Sequence, residues 1–229
     1  MNIKIVYEDD RIIVIDKPAG IAVQTRSLRE KDIESELKKY LKNKTGKADV
    51  FVIHRLDQPV SGLCVFAKDK QAASFISKQL NDGRFKKTYR AKVIVNEDMR
   101  ESQDENLLTG ESGTLSDMLY KDGKSNTSKV VRPEDKEYKQ AKKALLDYKV
   151  VQRDSELFPK RGLLEINLHT GRHHQIRAQL SHAGMPIEGD TKYGAATEDC
   201  KRDSRSIELR AIKLEFVHPS SLDTVFFTC

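Results

Sequence analysis

Phe51-Val52-Ile53-His54-Arg55-Leu56-Asp57-Gln58-Pro59-Val60-Ser61-Gly62 runs directly into Leu63-Cys64-Val65-Phe66-Ala67-Lys68. An apolar strand delivers a His, an Arg and an Asp into a loop bounded by Pro59 and Gly62, and a buried strand over 62–68 follows at once. Reactive side chains tend to sit on loops held between rigid strands. An Asp two residues from an Arg suits a carboxylate paired with a cation, available as nucleophile or base. It equally suits a turn-forming Asp beside a solvent-exposed Arg55. Spacing alone leaves both readings open.

Upstream, Ile3-Lys4-Ile5-Val6-Tyr7 and Arg11-Ile12-Ile13-Val14-Ile15 flank Glu8-Asp9-Asp10 and read as a β-hairpin. Asp16-Lys17-Pro18-Ala19-Gly20 ends it, because Pro18 has no ladder donor and Gly20 permits a turn. Residues 30–42 carry Ile33, Leu37 and Leu41 at fourfold spacing, which predicts an exposed helix. Downstream, Asp69 is a cap for a helix with stripe Ala72, Ile76 and Leu80, Phe75 beside it and Gly83 at its end. Lys87 to Val95 alternates as a strand, with Tyr89, Ala91, Val93 and Val95 on one face. Residues 96–128 are polar and are expected to form an insertion or long hairpin excursion.

Strands are expected near 144–151 and 162–169, the latter with Leu164, Ile166 and Leu168 on one face. A helix capped by Thr170 is expected over 171–183, with Gly184 as terminator. A strand with Ile212, Leu214 and Phe216 on one face and a short strand near Val225-Phe226-Phe227 close the chain. Strands outnumber helices, so the expected class is α/β (α+β): a mixed, largely antiparallel sheet with flanking helices in a single domain, 1–229.

The 229 residues can bury a core without disulfide staples. No apolar run approaches the roughly 20 residues of a membrane span, and the acidic start lacks a signal peptide's apolar stretch. Cys64, Cys200 and Cys229 are odd in number and far apart, which fits reduced thiols in a cytoplasm. The net charge of +6 points towards a polyanionic partner without identifying one.

Arg84-Phe85-Lys86-Lys87-Thr88-Tyr89-Arg90-Ala91-Lys92 holds five cations and no acid, with two aromatics interleaved. Cations can meet phosphates and aromatic faces can stack on bases. A basic strand edge that opposes aggregation, with Tyr89 in the core, fits the same residues. In Leu168–His182, four of the six histidines gather: His169, His173, His174 and His182. On the expected helix His173 and Arg177 share a face next to Ile176, whereas His173 and His174 point about 100° apart. No carboxylate lies inside that helix, so the metal reading is disfavoured against a cationic helix start that contacts phosphate.

Together these stretches resemble the RluA-type family of RNA pseudouridine synthases. The resemblance rests on His54-Arg55-Leu56-Asp57 with Ser61-Gly62, on Lys87-Thr88-Tyr89, and on Gly171-Arg172-His173-His174-Gln175-Ile176-Arg177. Gly189-Asp190-Thr191-Lys192-Tyr193-Gly194, Leu209-Arg210-Ala211 with His218-Pro219, and the opening hairpin with Asp16–Gly20 complete it. It implies the pseudouridine synthase catalytic fold and isomerisation of uridines in structured RNA, either rRNA or tRNA, without cofactor or metal. It places the catalytic Asp on Asp57, the active-site Tyr on Tyr89, and the Arg that pairs with the catalytic carboxylate on Arg177. Arg55 is the Arg that helps displace the base, Leu209 packs under the uracil, and His54 and Ile176 join the substrate-binding set. Lys86, Lys87, Arg90, Lys92 and Arg172 are the expected RNA contacts. The chain starts at the catalytic hairpin, so no N-terminal S4-type domain is expected. No protein partner is implied. His173 stands where Thr is commoner and Arg210 where His is commoner, which bears on substrate choice. The rivals are an RNA-binding or RNA-folding protein that keeps the fold without turnover, and a metal-dependent hydrolase using the four histidines.

Overall fold

A computed structural model describes residues 3–25, 27, 30–94, 112–154, 161–194 and 206–229. The chain divides into two compact units, one of residues 1–87 with 210–229 and one of residues 88–209.

The first unit opens with the hairpin β1 (Lys4–Glu8) and β2 (Ile12–Lys17). Asp9 closes its turn, its carboxylate accepting from the backbone N–H groups of Arg11 and Ile12 at 2.8 Å each. Strand β4 (Ser61–Ala67) lies antiparallel to β2, with Ile13 opposite Phe66 and Ile15 opposite Cys64. The other edge of β4 takes β3 (Phe51–Val52) at one end and β10 (Leu209–Val217, in this unit from Arg210) at the other. Strand β11 (Thr224–Thr228) flanks β10. Among the described residues, β4–β10 is the one parallel ladder within either unit. The sheets are thus mixed and largely antiparallel, as expected.

Ile12 to Ile15 are all fully buried, so both faces of β2 are covered. One face packs Ile12, Val14, Leu63 and Val65 against Ile76, Phe85, Leu214 and Phe216. Helix α1 (Ile33–Thr45) begins where Asp32 caps the Ser35 N–H, and it buries Ile33, Leu37 and Leu41. Helix α2 (Lys70–Asn81) starts at its expected cap, Asp69, and buries Ala72 and Ile76. Leu80 is only partly buried, and Gln79 takes the inner position by exchanging two hydrogen bonds with the backbone of Val217.

The second unit is an antiparallel sheet in the order β5 (Lys86–Ile94, in this unit from Thr88), β9 (Arg161–Leu168), β8 (Lys142–Asp154), β6 (Ser112–Asp122), β7 (Thr127–Val130). Leu119 and Ala144 pack on Ala178 of helix α3 (Gln175–His182). Val95, residues 96–111 and Cys200, all used in the sequence reading, lie outside the described residues. The rest of the polar 96–128 segment is mostly strand: β6 pairs along eight residues with β8, and the start of β7 pairs with β6. Among the described residues no helix is long and apolar enough to cross a membrane.

Two expectations need correction. The third helix starts at Gln175 rather than 171, and Thr170 does not cap it. The Thr170 hydroxyl instead donates to Gln175 Oε1 at 2.7 Å and accepts from the Leu145 N–H at 2.9 Å. Strand β10 also changes its buried face along its length, with Leu209 and Ala211 buried first and Leu214 and Phe216 after them, leaving Ile212 half-buried.

The parallel contact of β10 with β4 requires a glycine. Gly62 has φ +112°, and a Cβ there would lie 2.2 Å from the carbonyl oxygen of Ala211. Gly62→Ala is therefore expected to destabilise the fold by about 3 kcal/mol or more. At roughly 2–4 °C per kcal/mol for a chain this long, thermal denaturation reads this as a drop of several degrees. An unchanged melting midpoint would contradict this account of the contact.

Candidate active site

The segment leaving β3 alternates between inside and outside. His54 is buried, Arg55 exposed, Leu56 buried and Asp57 half-buried. The His54 Nε2 accepts the Val65 N–H at 3.2 Å, which places the ring proton on Nδ1. Burial pushes its pKa down to about 3, so a neutral imidazole pins the loop to β4. His54, expected to bind substrate, is itself buried and ties the segment before Asp57 to β4.

Asp57 opens a tight turn, its carbonyl accepting the Val60 N–H at 3.0 Å. The turn rests on the end of the opening hairpin. Gln58 accepts the Gly20 N–H at 2.9 Å through its carbonyl and donates its amide to the Gly20 carbonyl at 3.1 Å. Beneath it lies Lys17, whose side chain is fully buried. Its ammonium donates to the carbonyls of Pro18 and Ile21 at 2.8 Å each and of Gln58 at 3.2 Å. Burial draws its pKa down to about 8, opposed by negative charge at Cys64 and Asp57. Burial also pushes the Cys64 thiol up to about 12, so near neutral pH it stays protonated. The ammonium thus serves both as hydrogen-bond hub and as counter-charge of the Asp57 turn. Sequence reading gave Lys17 no role beyond its motif, although a Lys closing an apolar strand before Pro was the available signal.

Among the expected contacts of the first unit, Lys86 is exposed and paired with Glu215 at 2.8 Å. Lys87 is partly buried, and burial lowers its pKa. Tyr89, Arg90, Lys92, Arg172, Ile176, Arg177 and Leu209 belong to the second unit. Tyr89 sits on β5 opposite Ile166 and is 5% exposed. Arg90 lies 3.8 Å from Glu165, and Lys92 lies 3.3 Å from Glu208. The run that is acid-free in sequence therefore has acids from neighbouring segments beside Lys86, Arg90 and Lys92. Arg172 is exposed and donates through Nε to the Lys143 carbonyl at 2.8 Å. Leu209 and Ile176 are buried.

Arg177, 4% exposed on α3, grips Asp190 with Nε at 2.6 Å and Nη2 at 2.8 Å. Its guanidinium carbon lies 4.9 Å from the centre of the Tyr193 ring. Asp190 and Tyr193 stood in a motif of the sequence without individual roles. His173 precedes α3, so it shares no helical face with Arg177, and its ring stacks on His174 at 3.8 Å instead of pointing away. His169 pairs with Asp147 at 2.6 Å. Among the described residues, no three His, Cys, Asp or Glu side chains are grouped to hold a metal ion.

Lys17 makes a pH-dependent prediction. The folded chain releases its proton near pH 8, whereas an unfolded chain holds it to about 10.5. Between these values the unfolded state binds more protons, so this residue makes stability rise with pH. Urea midpoints of wild type are expected to gain on those of Lys17→Met between pH 7.5 and 10. Parallel pH curves for the two proteins would contradict this.

Residues 11–182 match the family model for RNA pseudouridylate synthase. An uncharacterized RNA pseudouridine synthase of Bacillus subtilis, YhcT, is 31% identical over 95% of this chain, which spans 65% of that protein. The dual-specificity RNA pseudouridine synthase RluA of Vibrio parahaemolyticus is 31% identical over 98% of this chain and 82% of its own. The solved structure of human RNA pseudouridylate synthase domain containing 1 superposes with a TM-score of 0.74, covering 100% of this chain and 83% of that one at 21% identity. That likeness concerns the fold, whereas the family match and the Vibrio relative bear on descent. The family model covers well over half of the chain and the Vibrio relative nearly all of it, and the chain belongs to the RluA-type RNA pseudouridine synthases.

Proposed function

We propose that this chain converts particular uridines of structured RNA, either rRNA or tRNA, into pseudouridine, with Asp57 as the essential carboxylate. The observation that carries the reading is the Asp57–Val60 turn, whose second residue, Gln58, is held by Lys17 and Gly20, so that the backbone of a half-exposed Asp57 is fixed.

The reaction breaks the bond from C1′ to N1, turns the base, and forms a bond from C1′ to C5. A proton leaves C5 and N1 gains one, so atoms balance with no redox change and no group transferred in from outside. Asp57 serves this by attacking the sugar or the base, or by taking a sugar proton; each route needs a held carboxylate. Arg177 serves the reaction as a cation, the part that the resemblance gives it. Tyr89 stacks on the uracil and assists removal of the C5 proton. The base has to leave its stack, and exposed Arg55 fills the vacancy. Leu209 packs under the uracil, with Ile176 beside it. Lys86, Lys87, Arg90, Lys92 and Arg172 meet phosphates. Exposed ion pairs are worth about 0–1 kcal/mol, so the acids beside Lys86, Arg90 and Lys92 yield readily to RNA. A cytoplasmic setting goes with these substrates, and no cofactor is required.

Incubation of bulk RNA with wild type and with Asp57→Ala, followed by chemical mapping of pseudouridine, tests this. Wild type is expected to form new sites, and the variant to be slower by about 10³-fold or more. Equal product from both proteins would remove Asp57 from its role. RNA binding by wild type without any product would favour the reading without turnover.

A further inference from the structure

Arg177 is almost completely buried, and a buried guanidinium is tolerated only where its charge and donors are met. Asp190, 1% exposed, takes one edge of the fork in a two-bond contact. Such a pair fixes the guanidinium plane as well as its position. The Tyr193 ring covers one face of that plane at 4.9 Å. Asp190 and Tyr193 are joined through one short 3-10 turn, Thr191–Tyr193, in which the Tyr193 N–H donates to the Asp190 carbonyl at 3.0 Å.

The same tyrosine also secures the start of α3. His174, the residue just before the helix, has φ +49°, a left-handed conformation that a non-glycine side chain keeps only when its surroundings hold it. Its Nδ1 lies 2.9 Å from the Tyr193 hydroxyl, which accepts the Ser128 N–H at 2.8 Å. Burial, with Arg177 nearby, pushes the His174 pKa down to about 3. The imidazole is therefore neutral, and its Nδ1 shares one hydrogen bond with the hydroxyl. The Ser181 hydroxyl donates to the Tyr193 carbonyl at 2.7 Å and ties the turn to the far end of α3.

We propose that Asp190 and Tyr193 are positioning residues for Arg177: Asp190 sets the plane of its guanidinium, and Tyr193 covers that plane and locks the left-handed turn from which its helix begins. This rests on the reading in which Arg177 serves the isomerisation. Neither residue touches the substrate in this proposal, so their loss should act on turnover and leave RNA affinity largely alone.

The test is steady-state isomerisation by the full chain, with kcat and KM separated, for Tyr193→Phe, Tyr193→Leu, Asp190→Asn and Asp190→Glu. Each is also combined with Arg177→Lys, and folding is checked by circular dichroism. Tyr193→Phe keeps the ring and loses the hydroxyl, and is expected to lower kcat about tenfold with KM nearly unchanged. Tyr193→Leu should cost about a hundredfold, because a displacement of about 1 Å at a catalytic group costs that much. Asp190→Asn should cost at least as much, with partial recovery in Asp190→Glu. In the Arg177→Lys background these substitutions should add little further loss. If Asp190→Asn fails to fold, the two tyrosine variants decide the matter. Wild-type kcat in both tyrosine variants, or losses that add fully to that of Arg177→Lys, would overturn the proposal. If Arg177→Lys itself is fully active, the reading of Arg177 fails and the proposal goes with it.

Discussion

One buried ammonium organises the loop of the first unit that carries Asp57. Lys17 is fully buried, and three backbone carbonyls, of Pro18, Ile21 and Gln58, accept hydrogen bonds from its ammonium. Those three carbonyls come from the end of the opening hairpin and from the turn that carries Asp57, two segments far apart in sequence. The depressed proton affinity of Lys17 measures what burial costs. A fold that keeps this cost places a fixed positive charge behind a carboxylate turn. Gly62, immediately past the turn, makes the other end equally demanding, since β10 approaches its backbone too closely for any side chain.

In the second unit the same economy recurs with a different cation. Arg177 is oriented by Asp190 and Tyr193, and the helix that carries it is launched from a strained histidine held by that tyrosine. In each unit a buried cation is oriented by groups near it in space: backbone carbonyls for Lys17, a carboxylate and a ring for Arg177. The net charge of +6 describes neither arrangement. Much of the exposed surplus in the 84–92 run is paired, Arg84 with Asp82, Lys86 with Glu215, Lys92 with Glu208. Exposed Arg55 carries charge of a different kind, placed on the same loop as Asp57.

Sequence was most legible where local chemistry decides structure. Asp69 caps α2 because its carboxylate meets the N–H groups of Gln71 and Ala72, and Ala72 and Ile76 of the expected stripe are buried. The continuous apolar runs of β2 and β4 read correctly as strands, because both faces of each are buried. The start of α3 was misread because Thr170 has the right residue type for a cap, yet its hydroxyl is engaged with Gln175 and Leu145. The left-handed His174 depends on Tyr193, nineteen residues later, and no local pattern announces it. The polar stretch over 112–128 is mostly strand because β8 pairs with β6 and β6 turns back on β7, pairings made with residues outside the stretch as well as within it. Asp57 and Arg177 stand out in the sequence by the motifs that carry them, while the contacts that hold their surroundings, from Lys17, Asp190 and Tyr193, are tertiary facts.

The most direct measurement is site-resolved pseudouridine mapping of total RNA from cells lacking this gene, restored with wild type or with Asp57→Asn at matched protein levels. The account predicts that defined uridines lose their modification on deletion, regain it with wild type, and stay unmodified with Asp57→Asn. Restoration of those sites by Asp57→Asn would contradict it.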